Sequence, residues 1–305
     1  RRVQTTLLIT TGEITTDVLR SITLLLTLVE LRHSVQYYRH HKTLLHLIAP
    51  LAEEERDLAD RLRRQGYLAD TGHITAAMLD DAQRKASASI ARRDRRGYEA
   101  ARAVSDLRRL HMLLDLLRCQ GMEVAKAFLD RQAAKKGEER KKVGRLLERP
   151  AVRDLRESLQ QVAELHPKPH AVERLLEQRH QEKEGTKTLV FTEYRDTVDR
   201  LVERLSLSEH LRPIPFVGQS KTGDRKGMTQ KEQVAQIDAF RSGEANVLIA
   251  TSVGEEGLDI PAADLVVFYE PVASAVRAIQ RRGRTGRHAE GEVVMLVAEG
   301  TRDAH

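Results

Sequence analysis

The segment "KTLVFTEYRDTVDRLVERL", residues 187–205, shows the pattern that decides the fold. Its first part, 187–193, is a short apolar run typical of a buried parallel strand. Its second part, 194–205, repeats apolar residues at the spacing of a helix. The alternation continues along the chain, with strands predicted at 211–218, 245–252, 263–270 and 291–299 and helices at 229–243 and 271–282. Such alternation predicts an α/β fold, with a mostly parallel sheet covered by helices on both faces.

The helix predicted at 229–243 carries clear signals at both ends. Thr229 opens it, and Glu232 follows at the spacing of a capping box, in which each residue bonds the backbone of the other. Gly243 ends it, because glycine adopts the left-handed conformation of a helix C-cap without strain.

Before about residue 185 the periodicity is mostly helical, as in "DLRRLHMLLDLLR", 106–118. The segment "HPKPH", 166–170, predicts a rigid break, because proline disfavours helix in the residue before it. We therefore predict a mostly α-helical domain over 51–165 and an α/β domain over 166–305. Residues 1–50 hold a strand-and-turn candidate and one or two apolar helices, and stay unassigned.

Composition limits the class of protein. The chain has 305 residues, of which 40% are hydrophobic and 31% charged, as in a soluble protein with a core. The single cysteine, Cys119, excludes a disulfide framework and fits a reducing compartment. The most apolar run, 18–31, is too short to span a bilayer, so no membrane partner is expected. The chain begins with Arg1, so we expect a fragment of a longer protein.

Histidines cluster near the start of the chain, but they lack the compact spacing of metal ligands and a supporting cysteine. Ordinary histidines on helix surfaces explain the group better, so no metal site is predicted. The residues concerned are His33, His40, His41 and His46.

The net charge of +6 is unevenly distributed. Residues 84–109 hold nine basic and three acidic residues, and residues 131–149 hold eight and three. Clustered positive charge favours a polyanionic partner, first of all nucleic acid. Solvated faces of arginine-rich helices explain the charge equally well. The densest group is Arg92, Arg93, Arg95 and Arg96. Since aromatic residues make up 4% of the chain, contacts to phosphate are favoured over stacking on bases.

Two stretches follow predicted strands, where ligands of parallel sheets gather. In "ATSVGEEGLDIP", 250–261, small residues allow close approach of a phosphate or ribose, and Asp259 offers an acceptor to a ribose hydroxyl. An ordinary strand-to-helix turn is the alternative. In "AIQRRGRTGRH", 278–288, Arg284 and Arg287 have the spacing to reach one phosphate group together. A basic surface loop is the alternative there.

Three motifs now carry a resemblance. "LVFTEYRDT", "ATSVGEEGLDIP" and "QRRGRTGR" resemble motifs IV, V and VI of superfamily 2 helicases, in order. "FVGQSKTGDRKGMTQKEQ", "VVFYEPVASAVRAIQRRGRTGRH" and "GTRD" are similar to the archaeal Hef and eukaryotic FANCM/Mph1 group of DNA helicases. The resemblance is specific over 185–305 and looser over 51–165. It implies a second RecA-like domain preceded by a helical insertion, and makes 1–50 either the tail of a first RecA-like domain or the start of the insertion.

The resemblance also implies roles for residues. Arg284 and Arg287 match the arginine fingers that act on the phosphates of ATP, and Gln280 would couple the two RecA-like domains. Gly257 and Asp259 match positions near the ribose. Residues expected along the nucleic-acid track are Thr192, Arg195, Gln219, Thr251 and Ser252. The insertion would grip forked or branched DNA through its basic helices, including Arg92, Arg93, Arg95 and Arg96.

The sequence departs from a complete motor because it contains no Walker A or DEAH-like motif. The nearest candidate, "EKEGTKT" at 182–188, precedes a strand, whereas a P-loop follows one. ATP and Mg²⁺ are therefore expected to be held mainly by a first RecA-like domain in cis, and this chain alone is expected to be inactive. A nucleoid-associated cytoplasmic location is implied for an archaeon and a nuclear one for a eukaryote.

Two other functions remain open at this stage. Helicases that sense duplex RNA, including Dicer-like ones, also carry a helical insertion at this place. A non-catalytic module that binds nucleic acid and recruits partners is the second alternative. The sequence does not decide the oligomeric state.

Overall fold

The computed structural model describes residues 5–11, 35–70, 73–220, 226–251, 262–271, 292–298 and 301–304. The chain divides into two compact units, one formed by residues 33–166 and the other by residues 1–32 together with 167–305. Within the described ranges, the structure contains no helix with the length and apolar character needed to cross a bilayer.

The unit of residues 33–166 is helical. Its helices are α1 (Val35–Arg64), α2 (Ala76–Ala91), α3 (Arg95–Asp115), α4 (Met122–Ala134), α5 (Gly137–Leu147) and α6 (Pro150–Gln161), with a π-helical turn at Leu116–Gln120. The predicted domain boundary at residue 51 falls inside α1, because the helix runs without interruption through Pro50. Leu51 is fully buried, so this position belongs to the interior of the helical unit.

Small residues bring α2 and α3 together as a tight hairpin. Ala82 and Ala86 of α2 are fully buried, as is Ala100 of α3. At Gly97 a Cβ atom would lie 2.7 Å from the backbone nitrogen of Ile90, so the two backbones touch at this point. The hairpin core continues with Leu79 of α2 and with Val104 and Leu107 of α3.

A buried carboxylate begins α4. Glu164 accepts hydrogen bonds from the backbone N–H groups of Met122 and Glu123, both at 2.9 Å, and of His166 at 2.8 Å. Met122 follows Gly121, whose φ of 127° no residue with a side chain adopts easily. Glu164 therefore satisfies the orphan donors at the helix start that the local sequence leaves uncapped.

The second unit is an α/β structure built on a six-stranded sheet in the order β1-β6-β5-β2-β4-β3. The strands are β1 (Thr5–Thr11), β2 (Thr188–Thr192), β3 (Pro213–Phe216), β4 (Val247–Thr251), β5 (Leu265–Phe268) and β6 (Glu292–Ala298). Neighbours among β2–β6 pair in parallel, while β1 pairs antiparallel with β6 at the edge. The α/β prediction and its strands after residue 186 are confirmed, and the strand candidate near the start of the chain is β1.

Helices α7 (Pro167–Glu182), α8 (Arg195–Leu205) and α9 (Gln230–Ser242) cover the sheet. Successive residues of the buried strands point to opposite faces. Val190 belongs to the core formed with α7 and α8, whereas Phe191 belongs to the core with Phe240 of α9. The predicted capping box of Thr229 and Glu232 is present, and Gly243 has a φ of 83°. The helix predicted at 271–282 lies outside the described residues.

The prolines of 166–170 start a helix rather than only interrupting one. Pro167 is the first residue of α7, and Pro169 lies in its first turn. Proline fits there because the first turn of a helix does not use its N–H groups for internal hydrogen bonds. The predicted break therefore lies before Pro167, which is also where the two units divide.

Gly97→Ala is expected to lower the free energy of unfolding by about 1–3 kcal/mol, because the added methyl group would force α2 and α3 apart. Gly144→Ala is the matched control, since its Cβ would meet only the end of the Glu148 side chain, at 3.7 Å. The control should stabilise α5 by up to about 1 kcal/mol through helix propensity. Urea unfolding of both variants measures the difference, and equal effects would contradict the close approach at Gly97.

Candidate functional site

The carboxyl ends of β2 and β4 bring two predicted site residues together. The strands pair in parallel with Thr192 opposite Thr251, and both residues close their strands. Thr192 of motif IV and Thr251 of motif V are more than fifty residues apart in the sequence, yet they meet at the carboxyl ends of neighbouring strands. This is the edge at which ligands of open parallel sheets bind.

The side chain of Thr192 points into the protein rather than toward solvent. Thr192 is fully buried, and its Oγ1 donates to the carboxylate of Glu270, 3.0 Å from Oε1 and 3.3 Å from Oε2. The hydroxyl is therefore used inside the molecule and does not face the surface, where a phosphate would lie. Thr251 is half-buried at the end of β4.

Arg195, the first residue of α8, holds the loop that carries Gln219. Its Nη2 donates to the carbonyl oxygens of Gly218 at 3.0 Å and Ser220 at 2.6 Å. Its Nη1 is buried without a hydrogen-bond partner in the described part of the chain. A guanidinium at the positive end of a helix attracts anions, so the start of α8 favours negative charge.

Gln219 is held against α9 while remaining exposed. Its Nε2 donates to Oε1 of Gln233 at 3.2 Å, and Nε2 of the buried Gln233 donates to the carbonyl of Val217 at 2.9 Å. Gly227 crosses this loop so closely that a Cβ would lie 2.2 Å from the carbonyl oxygen of Gln219. Gly227 therefore lies against Gln219, and the hydrogen bonds of Arg195 to Gly218 and Ser220 place Gln219 beside Arg195.

Behind these residues lies a network of buried charges. Glu270 follows β5 and is 2% exposed; besides the Thr192 hydroxyl, it accepts the backbone N–H of Glu193. Lys168 of α7 is fully buried, pairs with Asp303, and lies 5.2 Å from the centre of the Tyr269 ring. Burial raises the pKa of Glu270 to about 7, although Lys168 and the donors from Glu193 and Thr192 lower it.

The last described turn of the chain packs on the same region. Asp303 also accepts the backbone N–H of Ala298 at 3.2 Å, which links this turn to the end of β6. The guanidinium of Arg302 lies 5.4 Å from the centre of the Tyr194 ring and donates to Glu193 at 2.6 Å. Arg302 therefore packs against the two residues that follow β2, Glu193 and Tyr194.

The four clustered arginines lie at the turn between α2 and α3. Arg92, Arg93, Arg95 and Arg96 are all exposed. Arg93 has a φ of 61°, a left-handed conformation that is uncommon outside glycine, and its backbone N–H donates to the carbonyl of Ile90 at 2.9 Å. Tyr98, one turn further, is 57% exposed. The tip of this hairpin therefore concentrates positive charge on a short, sterically defined turn.

Six of the predicted site residues lie outside the described part of the chain, and their roles stay predictions. They are Ser252, Gly257, Asp259, Gln280, Arg284 and Arg287. Of the other predictions, the structure brings Thr192, Arg195, Gln219 and Thr251 together at one end of the sheet. The arginine cluster belongs to the other compact unit.

Sequence reasoning missed the buried network. Two signals were present: Glu270 closes the apolar run "ADLVVFYE", and Lys168 stands between two prolines in "HPKPH". A charge directly after a buried strand usually faces solvent, so only a partner from another segment reveals such a residue as buried. Here the partners come from β2, α7 and the last turn of the chain.

Comparison with known proteins agrees with this architecture. The sequence profile of one protein family, the helicase conserved C-terminal domain, matches residues 167–289. The crystal structure of the Pyrococcus furiosus Hef helicase domain superimposes with a TM-score of 0.67 at 33% identity, covering 89% of this chain and 55% of that one.

Two curated relatives share long stretches with the chain. A putative ATP-dependent RNA helicase of Methanocaldococcus jannaschii is 34% identical over 206 residues, which cover 68% of this chain and 26% of the relative. The ATP-dependent DNA helicase mph1 of Neurospora crassa is 45% identical over 116 residues, covering 38% of this chain and 10% of the relative. The chain thus spans about a quarter or less of these relatives.

The parallel sheet, the order of the three motifs along the sequence and these likenesses lead to one assignment. The chain belongs to the Hef, FANCM and Mph1 group of superfamily 2 helicases.

Proposed function

We propose that this chain is the second motor domain, with the helical insertion, of an ATP-dependent helicase or translocase that acts on forked or branched DNA. The proposal is supported by the pairing of Thr192 of motif IV with Thr251 of motif V at the carboxyl ends of two parallel strands. Arg195 and Gln219 flank this end of the sheet: Arg195 brings positive charge and holds the neighbouring loop, and the exposed amide of Gln219 would contact a nucleic-acid backbone.

ATP and Mg²⁺ would be held mainly by a first RecA-like domain in cis, as the Walker A and Walker B sequences are its part of the site. This chain would contribute Gly257 and Asp259 near the ribose and Gln280 for coupling between the domains. Arg284 and Arg287 would act on the charge that develops on the transferred phosphoryl group. Hydrolysis would close and open the cleft alternately, so that phosphate contacts on the two domains advance along one strand.

The helical unit would supply the grip on branched DNA. The turn between α2 and α3 displays four exposed arginines, which would contact the phosphates of the DNA. Duplex RNA is the second candidate substrate, because the relative from Methanocaldococcus jannaschii is named as a putative RNA helicase. Such a protein would work in the nucleus or in the nucleoid region of the cytoplasm.

Fluorescence anisotropy separates these substrates. Forked DNA, linear duplex DNA and duplex RNA of equal length are titrated with the whole protein at two salt concentrations. We expect the tightest binding to the fork and a steep loss of affinity with salt. Preference for duplex RNA would replace DNA with RNA in the proposal, and equal binding to fork and linear duplex would remove branch recognition.

Arg287→Ala in the whole protein should abolish DNA-stimulated ATP hydrolysis and leave the affinity for DNA nearly unchanged, because the finger acts on charge in the transition state. The loss is expected to be on the order of a thousandfold in turnover. Steady-state ATP hydrolysis and anisotropy measure the two effects. Equal turnover by the variant and the parent would contradict the finger assignment.

Replacing Arg92, Arg93, Arg95 and Arg96 by alanine should weaken DNA binding and flatten its dependence on salt, because fewer counterions are released. The control replaces three exposed arginines on other helices of the same unit, Arg56, Arg64 and Arg153. Anisotropy across a salt series measures the slope for each. An unchanged slope for the hairpin variant, or an equal change in the control, would leave the arginine cluster as a solvated surface.

A further inference from the structure

Glu270 occupies a place that the proposed chemistry does not explain. It follows β5 in the sequence, precedes the segment that carries motif VI, and is 2% exposed. Its carboxylate instead receives the hydroxyl of Thr192 and the backbone N–H of Glu193. One buried side chain thus joins the ends of two neighbouring strands, β5 and β2.

We propose that Glu270 is a positioning residue for nucleic-acid binding: its carboxylate holds the end of β2 so that Arg195 and the Gln219 loop are set for the DNA backbone. The proposal rests on the proposed function in one respect, since it takes this edge of the sheet as the DNA track. It assigns Thr192 the role of an internal link rather than a direct contact.

A series of contacts links Glu270 to the residues that are expected to meet the DNA backbone. Thr192 ends β2, and Arg195 begins α8 three residues later, so fixing the Thr192 hydroxyl and the Glu193 amide fixes where α8 starts. Arg195 in turn holds the carbonyl oxygens of Gly218 and Ser220. The chain of contacts therefore runs from Glu270 through the end of β2 to Gln219, without a contact between Glu270 and the surface.

The hydrogen bonds that Thr192 and Glu193 donate to Glu270 depend on whether the Glu270 carboxyl group is protonated. Among the described residues, the carboxylates of Glu270 and Asp303 share the buried region with the ammonium group of Lys168. Glu193 and Arg302 form a further, more exposed pair at the rim. Because burial raises the pKa of Glu270 to about 7, its charge changes near neutral pH. An ionised carboxylate accepts hydrogen bonds about twice as strong as a neutral one, so the link is tight above pH 7 and loose below it.

The test compares the parent protein with Glu270→Gln, which keeps the shape of the side chain and removes its charge. Glu203→Gln on α8 is the matched control, because Glu203 is exposed and pairs with Arg200 of the same helix. The measured quantity is the DNA concentration that half-maximally stimulates ATP hydrolysis in the whole protein, from pH 5.5 to 8.5. The KM for ATP is measured in the same series.

At pH 8 we expect Glu270→Gln to need about three- to tenfold more DNA than the parent, and at pH 6 the two should agree. The difference should appear with a midpoint near pH 7, where Glu270 ionises. The KM for ATP should not change, and the control should follow the parent at every pH. A constant difference at all pH values, or none at pH 8, would overturn the proposal.

Thermal unfolding separates positioning from a loss of structure. The pKa of Glu270 is raised in the folded protein from 4.5 to about 7, so its contribution to stability is present at low pH and lost as pH rises through 7. The Tm of the parent should therefore fall relative to that of Glu270→Gln between pH 5.5 and 8.5. Where the variant is at least as stable as the parent at pH 8, its weaker response to DNA does not come from unfolding.

Hydrogen exchange at the Glu193 amide tests the role of Glu270 independently of the proposed function. If no DNA stimulates the parent, the proposed function fails, and the exchange rate of the Glu193 amide decides the positioning role. The amide should exchange faster in Glu270→Gln than in the parent at pH 8, because its acceptor is weakened. Equal exchange rates in the two proteins would overturn the role of Glu270.

Discussion

The pairing of β2 with β4 on one side and β5 on the other is the constraint on which the α/β unit depends. β2 is buried along its whole length, so every backbone donor and acceptor in it needs a partner strand. Parallel pairing in register then determines which residues end at the same level. Thr192 stands opposite Thr251, and Phe191 stands opposite Phe268. The site is assembled by this register rather than by any local turn.

Burying charged side chains behind the carboxyl ends of these strands is unfavourable in free energy. The structure offsets this with specific hydrogen-bond and ion-pair partners. Glu270 is buried with two donors from the end of β2, and Lys168 is buried with Asp303 and beside Tyr269. An isolated buried charge would be strongly unfavourable, so these groups depend on one another for their place in the interior. The arrangement ties α7, the ends of β2 and β5, and the last turn of the chain into one network.

The helical unit depends instead on the close packing of the backbones of α2 and α3. Alanines and Gly97 let α2 and α3 touch along their backbones, and this fixes the turn that carries the arginine cluster. Large side chains would keep the helices apart and leave the turn free to vary. Packing of small residues therefore fixes the conformation of the positively charged turn between α2 and α3.

The sequence by itself determined strands β2 to β6 and helices α8 and α9, because apolar periodicity, the Thr229 capping box and Gly243 act over a few neighbouring residues. It also determined the family, since motifs IV, V and VI are contiguous stretches. Only the tertiary structure decided that α1 crosses residue 51, that Thr192 faces inward, and that Glu270 is its partner. The Thr192–Glu270 hydrogen bond joins residues 78 positions apart. No local pattern records such a contact, because it exists only after the strands have paired and excluded water from the space between them.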